Sequence, residues 1–405
     1  MTDRRARYKE CLALYNEYKE RGLSISMARG KPNGEQLKLS NGLLSVLAGE
    51  GCVAADGTDC RNYGGTDGLP EMRRLFAEIM AVNEKNVIVG GNSSLGMMYD
   101  CIADMRGIWP KNAVFICPVP GYDRHHNICE HFGIQMVTVN MTHEGPDMDA
   151  VEALAVSDAS VVGMWCVPVF SNPQGYIYSD ETVRRLACLK TAAKEKFRLF
   201  WDNAYCVHHF RGNPPAPVNF LKKCADAGNE DMPIIFTSFS KISFAGAGVA
   251  ALAASEKNLE QIRKRLFVQT VGPDKLNQLR HAKYFKDIEG INAHMRKHAE
   301  IIRPKFELAH FILDENLRGK GVARWHCPDG GYFMSLNTLQ GRAKRTVRLC
   351  AEAGIEFTAA GSTYPYKNDP NDANIRIAPT YPTLSELSDA MRIFCLAVEV
   401  AALES

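Results

Sequence analysis

The sequence predicts an α/β fold in which a large domain with a mostly parallel sheet is followed by a smaller α+β domain. From residue 86 onward, short runs rich in valine and isoleucine alternate with helical patterns. This alternation is typical of a parallel sheet covered by helices on both faces. Beyond residue 285 the pattern changes to one long helix, two isolated strand-like segments and a closing helix that begins at Leu384. A chain of 405 residues is long enough for both domains to have their own core.

The elements divide the chain into three predicted segments. Residues 1–48 form an N-terminal helix and an arm that packs with the small domain, residues 49–284 form the large domain, and residues 285–405 form the small domain. The predicted strands of the large domain are 87–89, 113–117, 135–139, 161–165, 198–201 and 234–237, and those of the small domain are 332–336 and 374–377.

Composition narrows the class of protein. The net charge of +2, from 48 basic and 46 acidic residues, gives no electrostatic reason to expect nucleic acid or membrane as a partner. The 13 cysteines are scattered singly, without the short paired spacings of a metal site or a disulfide scaffold. No stretch is as long as a membrane span. We therefore expect a cytoplasmic enzyme that acts on small molecules and binds no metal.

Three polar segments each close an apolar run that is typical of a buried strand. They are Asn172-Pro173-Gln174-Gly175, Asp202-Asn203-Ala204-Tyr205 and Ser238-Phe239-Ser240-Lys241. Because the carboxyl ends of parallel strands meet at one edge of a sheet, Asn172, Asp202 and Lys241 should lie close together. A lysine amine condenses with the aldehyde of pyridoxal phosphate (PLP), and a carboxylate keeps the ring nitrogen protonated. An aspartate in a buried strand is costly without such a cationic partner, so the pattern predicts a PLP site.

With these segments in place, the chain resembles the fold-type I PLP-dependent enzymes, and specifically the class I/II aminotransferases, over nearly its whole length. The run Ala245-Gly246-Ala247-Gly248-Val249 after the lysine is similar to a divergent branch of bacterial aspartate aminotransferases. The resemblance implies a seven-stranded, mostly parallel sheet in a PLP-binding large domain. It also implies a homodimer with shared active sites.

The resemblance assigns roles around the cofactor ring. Lys241, Asp202 and Tyr205 are the expected catalytic residues, and Asn172 and Tyr205 are expected to bond the phenolic oxygen of the ring. Tyr122, which follows the strand at 113–117, should stack on the ring. Tyr63 matches a family tyrosine that reaches the cofactor phosphate of the neighbouring subunit. Alone, each tyrosine is also compatible with a place in the core, and Asn-Pro-x-Gly with an ordinary turn.

The phosphate is expected at the start of a helix. Ser93 and Ser94 open the helical run 97–105, so their hydroxyls and the free amides of that helix, with Ser238, predict an anion site. Simple N-capping by either serine is the alternative. Most relatives carry an arginine seven residues after the lysine, but Gly248 stands there in this chain. Backbone amides of Ala247 and Gly248, or a basic residue elsewhere, are the candidates to replace it.

Substrate contacts follow from the same resemblance. Arg376, in an apolar strand, is expected to bind the α-carboxylate through its planar fork, with a structural salt bridge as the alternative. Gly30 should line the substrate pocket. An apolar residue near Phe267 occupies the place where dicarboxylate-specific relatives often have an arginine from the neighbouring subunit. Arg124 is therefore the candidate for the distal carboxylate, with an exposed arginine at a helix start as the alternative.

These roles imply an aminotransferase that moves an amino group between aspartate or glutamate and 2-oxoglutarate or oxaloacetate by a ping-pong mechanism. A PLP lyase or decarboxylase, and an aminotransferase for a non-acidic amino acid, remain open alternatives because they share Lys241 and Asp202. A PLP-dependent transcription regulator would need a DNA-binding domain, and no basic helix-turn-helix region precedes the aminotransferase-like segment. A scaffold without cofactor is disfavoured because the whole set of site residues is present.

Overall fold

The structure is a computed structural model that describes residues 2–49 and 51–404. Residues 1 and 405, the outer limits of the predicted first and last segments, lie outside the described residues. The α-helices are α1 (Thr2–Glu20), α2 (Gly34–Lys38), α3 (Pro70–Met80), α4 (Ser94–Arg106), α5 (Asp123–His131), α6 (Met148–Ser157), α7 (Asp180–Ala187), α8 (Phe220–Asp226), α9 (Glu256–Gln269), α10 (Lys275–Phe285), α11 (Ile288–Leu317), α12 (Ala343–Glu352) and α13 (Leu384–Leu403). Short 3₁₀ helices cover Asn41–Leu44, Glu84–Asn86, Lys194–Lys196 and Pro365–Lys367.

The strands form one large sheet and two small ones. They are β1 (Ile25–Ser26), β2 (Val87–Val89), β3 (Val114–Val119), β4 (Gln135–Thr142), β5 (Gly145–Pro146), β6 (Val161–Cys166), β7 (Arg198–Asp202), β8 (Pro233–Ser238), β9 (Ala250–Ala254), β10 (Ala323–Trp325), β11 (Met334–Thr338), β12 (Ile355–Glu356) and β13 (Asn374–Ile377). All of the strands predicted from the sequence are present, with ends shifted by a few residues.

The large sheet confirms the predicted fold class. In the described part of the chain its order is β2-β9-β8-β7-β6-β3-β4-β5. The pairs β4/β3, β3/β6, β6/β7 and β7/β8 are parallel, whereas β9 runs antiparallel to both of its neighbours. The two-residue strand β5 pairs antiparallel with the end of β4. With β5 the sheet has eight strands, and without it the predicted seven. The strand β9 was not predicted.

The central strands form because they are mainly apolar, with the charged residues of β7 confined to its two ends. Every residue of β6, β7 and β8 is buried, as expected for strands covered by helices on both faces. Gly163 in β6 is required by packing, since a Cβ there would lie 2.4 Å from the ring of Phe115. The rings of Phe200 and Phe236 stack across β7 and β8 with centroids 5.7 Å apart. This core fixes the strand ends from which the polar segments emerge.

A second core lies between α11, α12, α13 and the sheet β10-β11-β13, whose strands are antiparallel. The N-terminal segment packs on it: α1 contacts α13, and β1 pairs with β12. Arg7 donates from Nε and Nη2 to the buried carboxylate of Glu399 at 3.0 and 3.1 Å. The predicted boundary between residues 284 and 285 falls at the last turn of α10. We retain the three predicted segments as a proposal.

None of the helices in residues 2–49 and 51–404 is both long and apolar enough to cross a membrane.

Candidate active site

Five strands of the large sheet end at one edge and deliver polar residues to one cavity. Ser93 and Ser94 follow β2, Tyr122 follows β3, Asn172 follows β6, Asp202 ends β7, and Lys241 follows β8. Because β9 is antiparallel to both β2 and β8, these two strands point the same way, so all five carboxyl ends face one side. The cavity has a volume of about 210 Å³. Its lining residues are Ser93, Ser94, Leu95, Met98, Tyr122, Val167, Asn172, Asp202, Ala204, Tyr205, Ser238, Ser240 and Lys241.

Lys241 lies against aromatic walls. Its Nζ is 5.0 Å from the ring centre of Tyr205 and 5.9 Å from that of Tyr332. The Tyr332 hydroxyl donates to the carbonyl oxygen of Lys241 at 3.4 Å, which ties down the backbone at the lysine. Burial raises the pKa of Tyr205 and Tyr332 well above the usual value, and it raises the pKa of Tyr122 to about 12. The lysine amine is therefore surrounded by neutral phenols.

Asp202 has one satisfied and one open oxygen. Asp202 is 5% exposed, and its Oδ2 lies 3.0 Å from Nε2 of His125, which must donate because a carboxylate only accepts. The imidazole of His125 stacks on Trp165 with centroids 4.2 Å apart and an interplanar angle of 5°. The other oxygen, Oδ1, is buried and has no hydrogen-bond partner among the described residues. A buried carboxylate oxygen without a donor is costly, so Oδ1 requires a ligand group that carries a proton.

Serine hydroxyls cluster where β2 and β8 end. Ser93 is the N-cap of α4 and accepts from the amide of Gly96 at 3.1 Å, so the capping role considered from the sequence is present. Ser238 donates to the hydroxyl of Ser240 at 3.1 Å, and Ser240 donates to the carbonyl of Asn92 at 3.3 Å. These hydroxyls and the open amides at the start of α4 form a neutral set of donors that suits an anion.

The loop at Gly248, where most relatives were expected to carry an arginine, is tightly packed against the backbone. A Cβ on Gly248 would lie 3.1 Å from the backbone of Phe239 and of Ser240. The amide of Ala247 donates to the carbonyl of Phe244 at 3.1 Å, so this amide is already engaged within the turn. What replaces the arginine stays a prediction. The carbonyls of Ala247 and Gly248 both accept from Nδ2 of Asn277. Among the described residues that line the cavity, Lys241 is the one cation.

Arg376 lies on β13, in the second core, and is 6% exposed. Its Nη1 donates to Asp123 Oδ1 at 3.0 Å and to Asn172 Oδ1 at 3.4 Å, and its Nη2 donates to Thr358 Oγ1 at 3.1 Å. The guanidinium carbon is 4.9 Å from the ring centre of Phe333. The same ring covers Gly30, where a Cβ would lie 2.6 Å from it. The structure thus brings Arg376, Asn172 and the Gly30 loop together.

Two predicted residues lie apart from this set. The side chain of Arg124 is exposed on α5 and makes no hydrogen bond or ion pair with the described residues. Like Arg376, Arg124 is not among the residues that line the cavity. Tyr63 is 82% exposed. Its predicted contact is with a neighbouring subunit, so its role, like that of Arg124, stays a prediction.

Comparison with known proteins identifies the family. The sequence profile described as aspartate amino-transferase matches residues 3–405. The chain belongs to this aminotransferase family. It is 44% identical over 400 residues to the aspartate aminotransferase of Corynebacterium glutamicum, covering 96% of this chain and 92% of the relative.

Solved structures agree with the match. The crystal structure of an aspartate transaminase from Corynebacterium glutamicum has a TM-score of 0.97 and 41% identity, covering 100% of this chain and 97% of that one. The α-aminoadipate aminotransferase of Thermus thermophilus, solved with N-(5′-phosphopyridoxyl)-L-leucine, has a TM-score of 0.76 at 20% identity, covering 95% of each chain, and shares the fold. The aminotransferase is therefore of fold type I. The family match favours transamination over the lyase and decarboxylase that the sequence left open.

The residues present fit PLP. The open Oδ1 of Asp202 is an acceptor for a protonated ring nitrogen, and Tyr122 and Lys241 line the same cavity. The serine hydroxyls offer donors to a phosphate without a second cation in the lining. In residues 2–49 and 51–404, no group of three or more His, Cys, Asp or Glu side chains is arranged to hold a metal ion.

The sequence reasoning missed several residues of the aminotransferase site. His125, the partner of Asp202, lies only three residues after Tyr122, so this spacing was available as a signal. Asp123, between them, was not considered as the partner of Arg376, because 253 residues separate the two along the chain. Phe333 and Thr358, which contact Arg376, carry no sequence motif that marks them.

Proposed function

We propose that this aminotransferase uses PLP to move an amino group between L-aspartate or L-glutamate and 2-oxoglutarate or oxaloacetate. We propose ping-pong kinetics and a cytoplasmic homodimer that shares its active sites. The observation that carries the proposal is that the Lys241 amine and the unpartnered Oδ1 of buried Asp202 border one cavity at the sheet edge.

Each residue has a definite task in this proposal. When bound, PLP supplies an electron sink for negative charge at the substrate Cα. Lys241 Nζ would hold the cofactor aldehyde and, once free, would act as the general base that takes the proton from the substrate Cα. Asp202 would keep the proton on the ring nitrogen, with His125 orienting Asp202. Asn172 and Tyr205 would bond the ring oxygen, and Tyr122 would stack on the ring.

The remaining roles concern the phosphate, the substrate and the second subunit. Ser93, Ser94 and Ser238 would bind the phosphate, with Tyr63 of the neighbouring subunit. The large exposed fraction of Tyr63 supports this, as do the exposed apolar side chains of Phe267 and Val268, at 82% and 87%, which a subunit interface would cover. Arg376 would bind the α-carboxylate, next to Gly30.

Preference for acidic substrates is supported by 44% identity to a protein named aspartate aminotransferase. Arg124 is our candidate ligand for the distal carboxylate. One observation favours the second candidate function, an aminotransferase for a non-acidic amino acid: Arg124 is exposed and does not line the described cavity. A single experiment separates the two functions.

The experiment follows the visible absorbance of the purified protein. L-aspartate is added without any oxo acid, and L-leucine is added to a parallel sample. We expect aspartate to convert the band of lysine-bound PLP to the spectrum of pyridoxamine phosphate, and 2-oxoglutarate to reverse the change. A response to leucine alone would establish the second candidate, and the absence of a band after PLP is added would overturn the cofactor site. The variant Arg124→Ala should weaken aspartate turnover, and full retention would remove Arg124 from the proposal.

A further inference from the structure

The guanidinium of Arg376 is only partly used by the protein. An arginine has five N–H donors, two on each Nη and one on Nε. Nη1 donates to Asp123 and to Asn172, and Nη2 donates to Thr358. Nε is buried and has no partner among the described residues. The Nη1 side is therefore filled by side chains, whereas Nε and one N–H of Nη2 remain.

Nε and Nη2 share one edge of the planar guanidinium, and that edge matches the two oxygens of a carboxylate. Since Arg376 is 6% exposed, a donor left unpaired there is costly, which points to a ligand at Nε. Asp123 supplies the negative charge that makes burial of the arginine tolerable, with a 3.0 Å contact between Oδ1 and Nη1.

Asp123 occupies a special place in the fold. It is the first residue of α5, directly after Tyr122 and two residues before His125, the partner of Asp202. The start of one helix thereby fixes three groups that belong to different parts of the site. On the far side of Arg376, Thr358 donates its hydroxyl proton to the carbonyl of Ala28, which links the arginine to the N-terminal arm.

We propose that Asp123 is a positioning residue that holds the Nη1 side of Arg376 and turns the Nε/Nη2 edge toward the α-carboxylate of the substrate. The inference rests on the proposed function, because it takes Arg376 as the ligand of that carboxylate. The substrate then binds without displacing Asp123. The guanidinium of Arg376 lies between the two carboxylates, with Asp123 on its Nη1 side and the substrate on its Nε/Nη2 edge. The contrary view is that Asp123 occupies the substrate's own place and must leave before binding.

Two variants of Asp123 separate these views. Asp123→Ala removes the acceptor, whereas Asp123→Asn keeps an oxygen that can accept from Nη1 and removes only the charge. For the amino acid that converts the cofactor band, we expect Asp123→Ala to raise KM about 10-fold, as for the loss of a hydrogen bond to a charged group. We expect kcat to change less than about threefold, because Asp123 does not contact the reacting atoms. Asp123→Asn should keep KM within about threefold of the parent value.

Other outcomes would overturn the proposal. A fall of KM in both variants would mean that Asp123 competes with the substrate. An unchanged KM in folded Asp123→Ala would mean that it does not position the arginine. Equal losses of Tm and kcat in both variants, without a KM change, would indicate a purely structural role. Asp180→Ala is the matched control, because Asp180 is also the first residue of a helix but is exposed and does not line the cavity.

Arg376→Lys, measured in parallel, distinguishes failure of this inference from failure of the proposed function. The proposed α-carboxylate role requires Arg376→Lys to raise KM about 10-fold or more, because a lysine lacks the planar fork. If KM is unchanged, the proposed role of Arg376 fails. If Arg376→Lys raises KM and Asp123→Ala does not, only the positioning role fails.

Discussion

Asp202 and Arg376 are both buried charges, at 5% and 6% exposure, but the protein surrounds them differently. Asp202 ends β7, with parallel neighbours on both sides, and has His125 as its side-chain partner while Oδ1 stays open. Arg376 lies in a small antiparallel sheet, and its partners come from three other parts of the chain: α5, the loop after β6, and the segment after β12.

The difference divides the site into two halves. We call Lys241, Asp202 and Tyr122 the sheet-edge half, since one rigid sheet positions all three. We call Arg376, Asp123 and Thr358 the arginine half, since segments from both domains must come together to form it. Changes in the sheet-edge half should alter the chemistry and the bound cofactor, whereas changes in the arginine half should alter substrate affinity.

The largest effect is expected for Lys241→Ala. It removes the one cation among the described residues that line the cavity, and with it both the attachment to the cofactor and the general base. We expect kcat/KM to fall by more than about 10⁴-fold, with loss of the visible band of lysine-bound cofactor. Lys190→Ala, at an exposed lysine outside the cavity, is the control. Substantial turnover by Lys241→Ala would contradict the assignment of the chemistry to the sheet-edge half.

A smaller effect is expected for Asp202→Asn, which retains the shape and removes the charge. We expect kcat to fall about 10²- to 10³-fold, the usual cost of losing one preorganised electrostatic partner, with little change in KM. Steady-state kinetics and the visible spectrum measure both. Asp231→Asn is the control, since Asp231 precedes β8 but is paired with Lys257 and Ser255 away from the cavity. If KM rose instead of kcat falling, Asp202 would belong with the arginine half.

The smallest effect is expected at the buried residue His281, and it concerns how the free energy of unfolding depends on pH. Nδ1 of His281 donates to the Asn277 carbonyl at 2.7 Å, Nε2 lies 2.8 Å from Ser243 Oγ, and burial lowers the pKa of this histidine to about 4. Between pH 6.5 and 4 the unfolded chain binds a proton at this residue and the folded chain does not. The free energy of unfolding should therefore decrease as the pH falls through this range, by up to about 1.4 kcal/mol per pH unit.

Urea unfolding at pH 7 and pH 5 tests this expectation. His281→Gln should reduce the loss of stability between the two pH values by up to about 2 kcal/mol. His143→Gln, at an exposed histidine, should leave that loss unchanged. An equal pH dependence in the parent protein and in His281→Gln would show that His281 does not contribute.

Most of the fold could be predicted because its strands are marked by apolar, β-branched runs. The strand β9 was missed because its sequence, Ala-Ala-Leu-Ala-Ala, is rich in a residue with little preference for strands. It is a strand because it is buried between β2 and β8, which only the assembled sheet provides. The two-residue strands β1 and β12 are too short to give a periodic signal, and they form because distant segments meet.

The sheet-edge half was predictable for a related reason. In a parallel sheet the chain direction alone places the carboxyl ends of strands at one edge, so residues that follow apolar runs were expected to meet. The environment of each residue was not predictable. The spacing from Tyr122 was the one local hint of His125, but it did not show that His125 bonds Asp202. Nothing local indicates that Asn277 holds the loop at Gly248, or that the amide of Ala247 bonds within a turn.

The sequence by itself determined the alternation of strands and helices, the order of Asn172, Asp202 and Lys241, and the resemblance to aminotransferases. These follow from periodicity and from residue types that lie close along the chain. Only the tertiary structure decided which oxygen of Asp202 stays open, and that Asp123 fills one side of Arg376. The physical reason is that packing between distant segments determines the hydrogen-bond partners of buried charges: 77 residues separate His125 from Asp202, and 253 separate Asp123 from Arg376. Short-range sequence patterns do not encode that packing.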